Sequence, residues 1–315
     1  MPTKPVDQFA GAMLGLMVGD AMGRPAKERT PAELEARPDI GEEMVGGFYT
    51  EDTEMMISVA EMLLTYARTD QNDLATRLGE NLHPMRGYNP GALEVLYRLQ
   101  QGMDWRDANT EVFESGSYGI GGTPRATPVG LLFHHDLDAA IEEADLQAEV
   151  THSHPIGRAG AITMAVAVGL AVQRIPFGQA FHQLQETLSH AGVDDLTPYF
   201  DRIWKLLSEG EAPTPQAVVD VFGHNLTVQT CVPAALYCTQ RYPESYAKAV
   251  GFACKLGGDA DSIASIVGAI QGTFHGVNGI PKAWLAGLEN EERGRDHALD
   301  LAQRLYAMWQ ERFGG

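Results

Sequence analysis

Apolar residues recur along this chain at helical spacing. Met55, Met56, Val59, Met62, Leu63 and Tyr66 fall on one face, which predicts an amphipathic helix over 52–68. The same period marks 155–174, 176–190, 197–208, 226–240, 244–255, 260–275 and 289–312, and a further helix is expected over 124–133. Prolines stand between these segments, at Asn89-Pro90, His154-Pro155, Ile175-Pro176, Ala212-Pro213, Tyr242-Pro243 and Ile280-Pro281. Each fits a helix start or a connection. Alternating strand patterns are scarce, and there is no tandem repeat, low-complexity tract or long linker. The pattern predicts an all-α fold in a single domain spanning 1–315.

Two segments carry a second period. Gly11, Gly15, Gly19 and Gly23 recur every four residues, as do Gly268, Gly272 and Gly276, preceded on the same face by Ala260 and Ala264. Residues i and i+4 share a helix face. An interior glycine costs about 1 kcal/mol relative to alanine, so a glycine stripe needs a reason. Close approach of two helix backbones supplies one; loop glycines at chance spacing are the alternative.

Charge narrows the range of partners. The 42 Asp and Glu against 23 Lys and Arg give a net charge of −19 over 315 residues. Non-specific nucleic-acid binding and anionic-membrane binding both need a basic face, so neither is expected. Cys231, Cys238 and Cys254 are odd in number and lie in apolar sequence without CxxC spacing, which reads as buried reduced thiols. No run approaches the ~20 apolar residues of a membrane span. The apolar stretch from Phe9 to Val18 ends at Asp20 and lacks the basic region and cleavage site of a signal peptide. A cytoplasmic location is expected.

Candidate chemistry sits at two helix starts. Thr50-Glu51-Asp52-Thr53-Glu54 opens one helix, and Gly257-Gly258-Asp259-Ala260-Asp261-Ser262 opens another. Thr and Asp cap helices and acids suit the first turn, so polar helix starts alone would account for either. Asp259 and Asp261 nevertheless flank one small residue after two glycines that permit a sharp turn. Carboxylates this close repel unless a cation joins them, and oxygen-only donors suit a hard cation such as Mg²⁺, Mn²⁺ or Ca²⁺. His152 and His154 form an H-x-H pair, a poor metal signal by itself. His154 is read instead as a substrate-side donor or a helix cap, and Tyr118 as a ring that could stack on a base or ribose.

These residues resemble a family. The segment Gly11 to Gly23, then Thr50-Glu51-Asp52-Thr53-Glu54-Met55, Thr151-His152-Ser153-His154-Pro155, Gly257-Gly258-Asp259-Ala260-Asp261-Ser262 and Gly276-Val277-Asn278-Gly279-Ile280-Pro281 are similar, in order, to the motifs of the ADP-ribosylglycohydrolases. That family includes the dinitrogenase reductase-activating glycohydrolases and the crystallin J1-like proteins. The resemblance implies an all-α fold with two divalent cations, Mg²⁺ or Mn²⁺, held by Thr50, Glu51, Asp52, Asp259, Asp261 and Ser262. It implies hydrolysis of an ADP-ribosyl glycosidic bond on an ADP-ribosylated protein or a small ADP-ribose conjugate. Glu51 and Asp52 are expected in catalysis, and Tyr118, Gly119, Gly121, Arg125 and His154 on the substrate side.

The chain departs from the pattern in places. Glu51 stands where the family has Asp, and Ser262 where it has Thr. Lys27 aligns with an early family acid, and Glu28, one residue on, is expected to take that catalytic role. In the loop Ser117-Tyr118-Gly119-Ile120-Gly121-Gly122-Thr123-Pro124-Arg125, Ser117 and Ile120 supply neither acid nor amide. Arginine-linked ADP-ribose is therefore expected to be a poor substrate unless Glu114 swings inward. The alternative is a non-catalytic ADP-ribose- or nucleotide-binding member of the fold, which Lys27 favours.

Overall fold

A computed structural model describes residues 4–209 and 213–314. Among them are seventeen α-helices, several 3₁₀ turns and no strand; the lone β-bridge joins Gly119 to Thr227. Ala212 of the expected Ala212-Pro213 turn lies outside the described residues.

Helices Pro5–Gly23 and Ala260–His275 pack against each other more extensively than any other pair. Helix Pro5–Gly23 is buried on every face from Gln8 onward, as expected of a helix apolar all round. The glycine stripes make this seam. A Cβ added at Gly11 would lie 2.1 Å from the Gly272 carbonyl oxygen, one at Gly15 2.3 Å from that of Gly268, and one at Gly19 2.0 Å from that of Ala264. Only glycine permits backbones this close. Gly276 falls past the helix end, at φ +71°, where it caps the helix and still abuts the facing stripe: a Cβ at Gly11 would lie 2.7 Å from the Gly276 carbonyl carbon. Gln8 ties the seam to a third core helix, Pro155–Val172. Its Nε2 donates to the carbonyls of Ala171, Val172 and Thr273, in the last turns of their helices, where carbonyls lose their i+4 partners.

Helix Pro155–Val172 has a mean hydropathy of 1.6 and is long and apolar enough to cross a membrane, contrary to the expectation that no segment is; 83% of it is buried inside the protein. Expected and observed helices agree closely at Phe177–His190, Thr197–Ser208, Val228–Arg241, Tyr246–Cys254 and Ala260–His275. Two expectations need correction. The helix expected over 289–312 begins only at Arg295. Glu289 is taken by tertiary bonds: its carboxylate accepts from the Tyr49 amide and pairs with Arg86, and its amide donates to Gly47 O. The segment 124–133 divides into a 3₁₀ turn, Pro124–Ala126, and a short helix, Thr127–Leu132. All three cysteines are buried and free, as expected.

Candidate active site

The site forms where the ends of three segments meet. Near the end of the first helix, Asp20 is fully buried and caps a different helix, Glu51–Tyr66. Its carboxylate accepts from the Thr50 amide (2.9 Å) and hydroxyl (2.6 Å) and from the Thr53 amide (3.1 Å) and hydroxyl (2.6 Å). These are the orphan donors of a helix N-terminus, here satisfied from across the fold. The bonds hold Glu51 and Asp52 in place at the helix start.

The second helix start depends on Gly257 and Gly258, both at positive φ (+66° and +59°) and both in backbone contact. A Cβ at Gly257 would lie 2.1 Å from Arg29 O, and one at Gly258 2.0 Å from His224 O. The turn docks onto the segment after the first helix: Glu28 N donates to Gly258 O (2.7 Å) and Gly258 N to Arg29 O (2.8 Å). This docking fixes the outcome at the Lys27–Glu28 pair. Glu28, at φ +63°, is exposed, which overturns the expectation that it takes a catalytic role. Lys27 turns inward instead. Its ammonium donates to Asp261 Oδ2 (2.7 Å) and Glu51 Oε1 (3.1 Å) and lies 3.9 Å from Asp259 Oδ1.

Glu51, Asp52, Asp259 and Ser262 thus converge, as predicted, on one wall of an open cleft, with Asp261 fully buried behind them. Burial pushes Glu51 up to about 7 against the opposing pull of Lys27. Burial and the Asp261 charge take Asp259 to about 8 and Asp20 to about 6. Asp52 rises well above the carboxylate range through burial and the charges of Asp20 and Glu51. Burial works against the Lys27 charge, but Asp261, Glu51 and Asp259 outweigh it and hold the ammonium well above the usual lysine range. One ammonium is too little positive charge for four buried carboxylates.

The donor set suits a hard cation. Glu51 Oε2, Asp52 Oδ1, Asp259 Oδ1 and Asp261 Oδ1 are buried with no hydrogen-bond partner. Among the described residues, however, no three His, Cys, Asp or Glu side chains already share a metal-holding arrangement; Lys27 stands among these carboxylates. The Thr50 hydroxyl donates to Asp20, which leaves only its lone pairs for a cation.

The opposite wall is the loop of Ser117, Gly119, Ile120 and Gly121, with Tyr88, Leu96 and Phe113 beside it and His152 beneath. Of the substrate-side expectations, Gly119 and Gly121 line the cleft. Three others do not. Tyr118 is half exposed and rests edge-on against His154. His154 caps helix Pro155–Val172, its Nδ1 accepting from Ile156 N at 3.1 Å. Arg125 is wholly buried below the floor, where Nε donates to Gln147 Oε1 (2.7 Å) and the fork reaches Gln147 O (2.8 Å). Gln147 in turn donates to Gly122 O (3.0 Å), so Arg125 braces the loop from beneath. Glu114 is exposed and outside the cleft.

Sequence reasoning gave no role to Asp20 or His152. Asp20 lay within the first quoted motif. His152, in the H-x-H pair, is the histidine that faces the cleft; burial, with Arg125 nearby, pushes it down to about 3, so it is neutral. Its Nδ1 pairs with the Thr151 hydroxyl at 2.8 Å.

Known proteins resemble the chain along its full length. The cattle ADP-ribosylhydrolase ARH3 is 28% identical, over 97% of this chain and 94% of the relative. The ADP-ribosylarginine hydrolase Tri1 of Serratia proteamaculans is 26% identical, over 96% and 80%. A solved ADP-ribosylglycohydrolase-related protein complex superposes with a TM-score of 0.75 at 25% identity, covering 97% of this chain and 99% of that one. Residues 1–314 match the ADP-ribosylglycohydrolase family, and with the acidic helix starts and the cleft they form, the chain belongs to that family.

Proposed function

We propose that the protein hydrolyses an ADP-ribosyl glycosidic bond in this cleft, with the aid of a divalent cation, Mg²⁺ or Mn²⁺. The observation that carries the reading is the buried acidic wall of Glu51, Asp52 and Asp259, which opens onto a cleft otherwise lined by apolar side chains and a glycine loop. Glu51, Asp52, Asp259 and Asp261 would hold the cation, with the hydroxyls of Ser262 and Thr50 nearby. The cation, when bound, supplies orientation of ribose hydroxyls and activation of a water. Glu51 faces the cleft, where its carboxylate would help hold the cation and accept a proton from the attacking water. The bond breaks through an oxocarbenium-like state, and the negative wall stabilises the sugar as it becomes cationic. Tyr88, Leu96 and Phe113 exclude water from the far side.

The substrate is an ADP-ribosylated protein or a small ADP-ribose conjugate. Ser117 and Ile120 face the leaving group with no acid between them, and Glu114 stays outside. A guanidinium there would lose hydration with no carboxylate to offset it, so a neutral leaving group is preferred over arginine. Three buried free thiols support a cytoplasmic location.

The test is release of ADP-ribose from arginine-, serine- and phosphate-linked substrates, with Mg²⁺, with Mn²⁺ and with chelator. Metal-dependent release, lowered ~100-fold or more in Asp52→Asn, is the expected result. Fastest release from arginine would overturn the leaving-group assignment. A second reading, binding without turnover, is favoured by Lys27 in the acidic cluster; tight ADP-ribose binding with no release from any linkage would establish it.

A further inference from the structure

We infer that the Lys27 ammonium is a built-in cation that takes the place of one of two divalent ions, so that this chain binds a single divalent cation at its acidic cluster. The inference rests on the reading of that cluster as a cation site, and it departs from the expectation of two ions.

Lys27 is not a surface residue that strayed inward. The bonds from Glu28 N to Gly258 O and from Gly258 N to Arg29 O lock its backbone against the turn that opens the second acidic helix. Its side chain is only 19% exposed. The ammonium spans the two helix starts, at 3.1 Å from Glu51 on one and 2.7 Å from Asp261 on the other. The ammonium thus joins the two acidic helix starts by charge, as a cation shared between them would. A dication bound to the same two oxygens would stand about 2.0–2.6 Å from each, in collision with the ammonium and repelled by it.

The oxygens divide in the same way. Each of the four carboxylates has one oxygen with a neighbour: Glu51 Oε1 and Asp261 Oδ2 face Lys27, Asp52 Oδ2 faces Ser265 Oγ at 3.4 Å, and Asp259 Oδ2 faces Cys231 Sγ at 3.7 Å. Each has a second oxygen that is buried and without a hydrogen-bond partner, that of Asp259 lying 3.9 Å from the ammonium. These four oxygens are the hard donors that the ammonium leaves for a cation, and they would have to draw together around it, since no three of these side chains already share a metal-holding arrangement among the described residues.

Charge points the same way. Lys27 already supplies one positive charge at Asp261 and Glu51, so a second dication there would have to bind against the ammonium or displace it from two close carboxylate contacts.

The experiment counts Mn²⁺. Wild-type protein and Lys27→Met are titrated with Mn²⁺ by calorimetry and electron paramagnetic resonance, with native mass spectrometry as an independent count. The expected result is one ion in the wild type, with the six-line spectrum of an isolated Mn²⁺. Lys27→Met, which keeps the stem and loses the charge, should take up two, with a broadened, spin-coupled spectrum. Lys27→Arg should stay at one. Two ions in the wild type, none in the wild type, or the same count in wild type and Lys27→Met would each overturn the inference. The wild-type count stands even where a variant fails to fold. Hydrolysis is measured separately: a protein that binds one Mn²⁺ under the control of Lys27 but releases no ADP-ribose would refute the proposed activity and leave this inference intact.

Discussion

The seam between helices Pro5–Gly23 and Ala260–His275 gives a prediction whose sign is informative. Gly268→Ala adds one methyl group to a helix interior. By helix propensity alone it should stabilise, by up to about 1 kcal/mol. In this structure the new Cβ would sit 2.1 Å from the Gly15 carbonyl oxygen and 2.9 Å from its carbon. These are backbone atoms inside a helix and cannot swing away as a side chain would. Contact at ordinary separation requires the helices to part by about 1 Å, and a gap of that size forfeits a quarter to a half of each dispersion well along the seam. Overpacking of this kind costs typically about 1–3 kcal/mol, more than the propensity gain. At about 2.1 cal/mol/K per residue, a net loss of about 2 kcal/mol lowers Tm by about 3 °C in a chain of this length. Gly178 is the control. It lies in helix Phe177–His190, and a Cβ added there meets nothing within 4 Å. Gly178→Ala should be neutral or stabilising. Calorimetric or denaturant unfolding of both variants decides the matter. If Gly268→Ala were as stable as the wild type, the close packing of the seam would be refuted.

Three further outcomes are expected. Asp20→Ala removes the acceptor of four hydrogen bonds at the start of helix Glu51–Tyr66 and should cost about 3 kcal/mol or more in urea unfolding, with loss of Mn²⁺ affinity; a loss under about 1 kcal/mol would show that Thr50 and Thr53 find other acceptors. Arg125→Lys keeps the charge but not the fork on Gln147, so it should lower stability by about 2 kcal/mol; unchanged stability with a raised KM would place Arg125 on the substrate after all. His152 is held down to about 3 from an ordinary value of 6.5, so the unfolded chain takes up its proton first, and the stability from the neutral ring is complete above about pH 6.5 and lost progressively towards pH 3. The buried carboxylates with raised values act in the opposite sense, so the quantity to measure is the stability difference between wild type and His152→Asn from pH 7 to 4; a difference independent of pH would mean the ring titrates normally.

The sequence by itself determined the elements and their burial. Helical period and proline punctuation located most helices to within a few residues, because local backbone preference and the need to bury one face both act at short range. The four-residue glycine stripes foretold the central seam, and the acid-rich helix starts foretold most of the cluster. The sequence did not determine which of two adjacent residues faces the site. Lys27 enters and Glu28 stays outside because Gly258, far along the chain, hydrogen-bonds to the backbone of Glu28 and Arg29, with Gly257 packed closely against Arg29 O. His152 lines the cleft while His154 caps a helix, and Arg125 lies under the floor, because the docking of loop 117–122 onto its neighbours sets those directions. Asp20 caps a helix in which it has no part. Each of these assignments depends on hydrogen bonds between segments distant in sequence, and only the packed fold brings those donors and acceptors within reach.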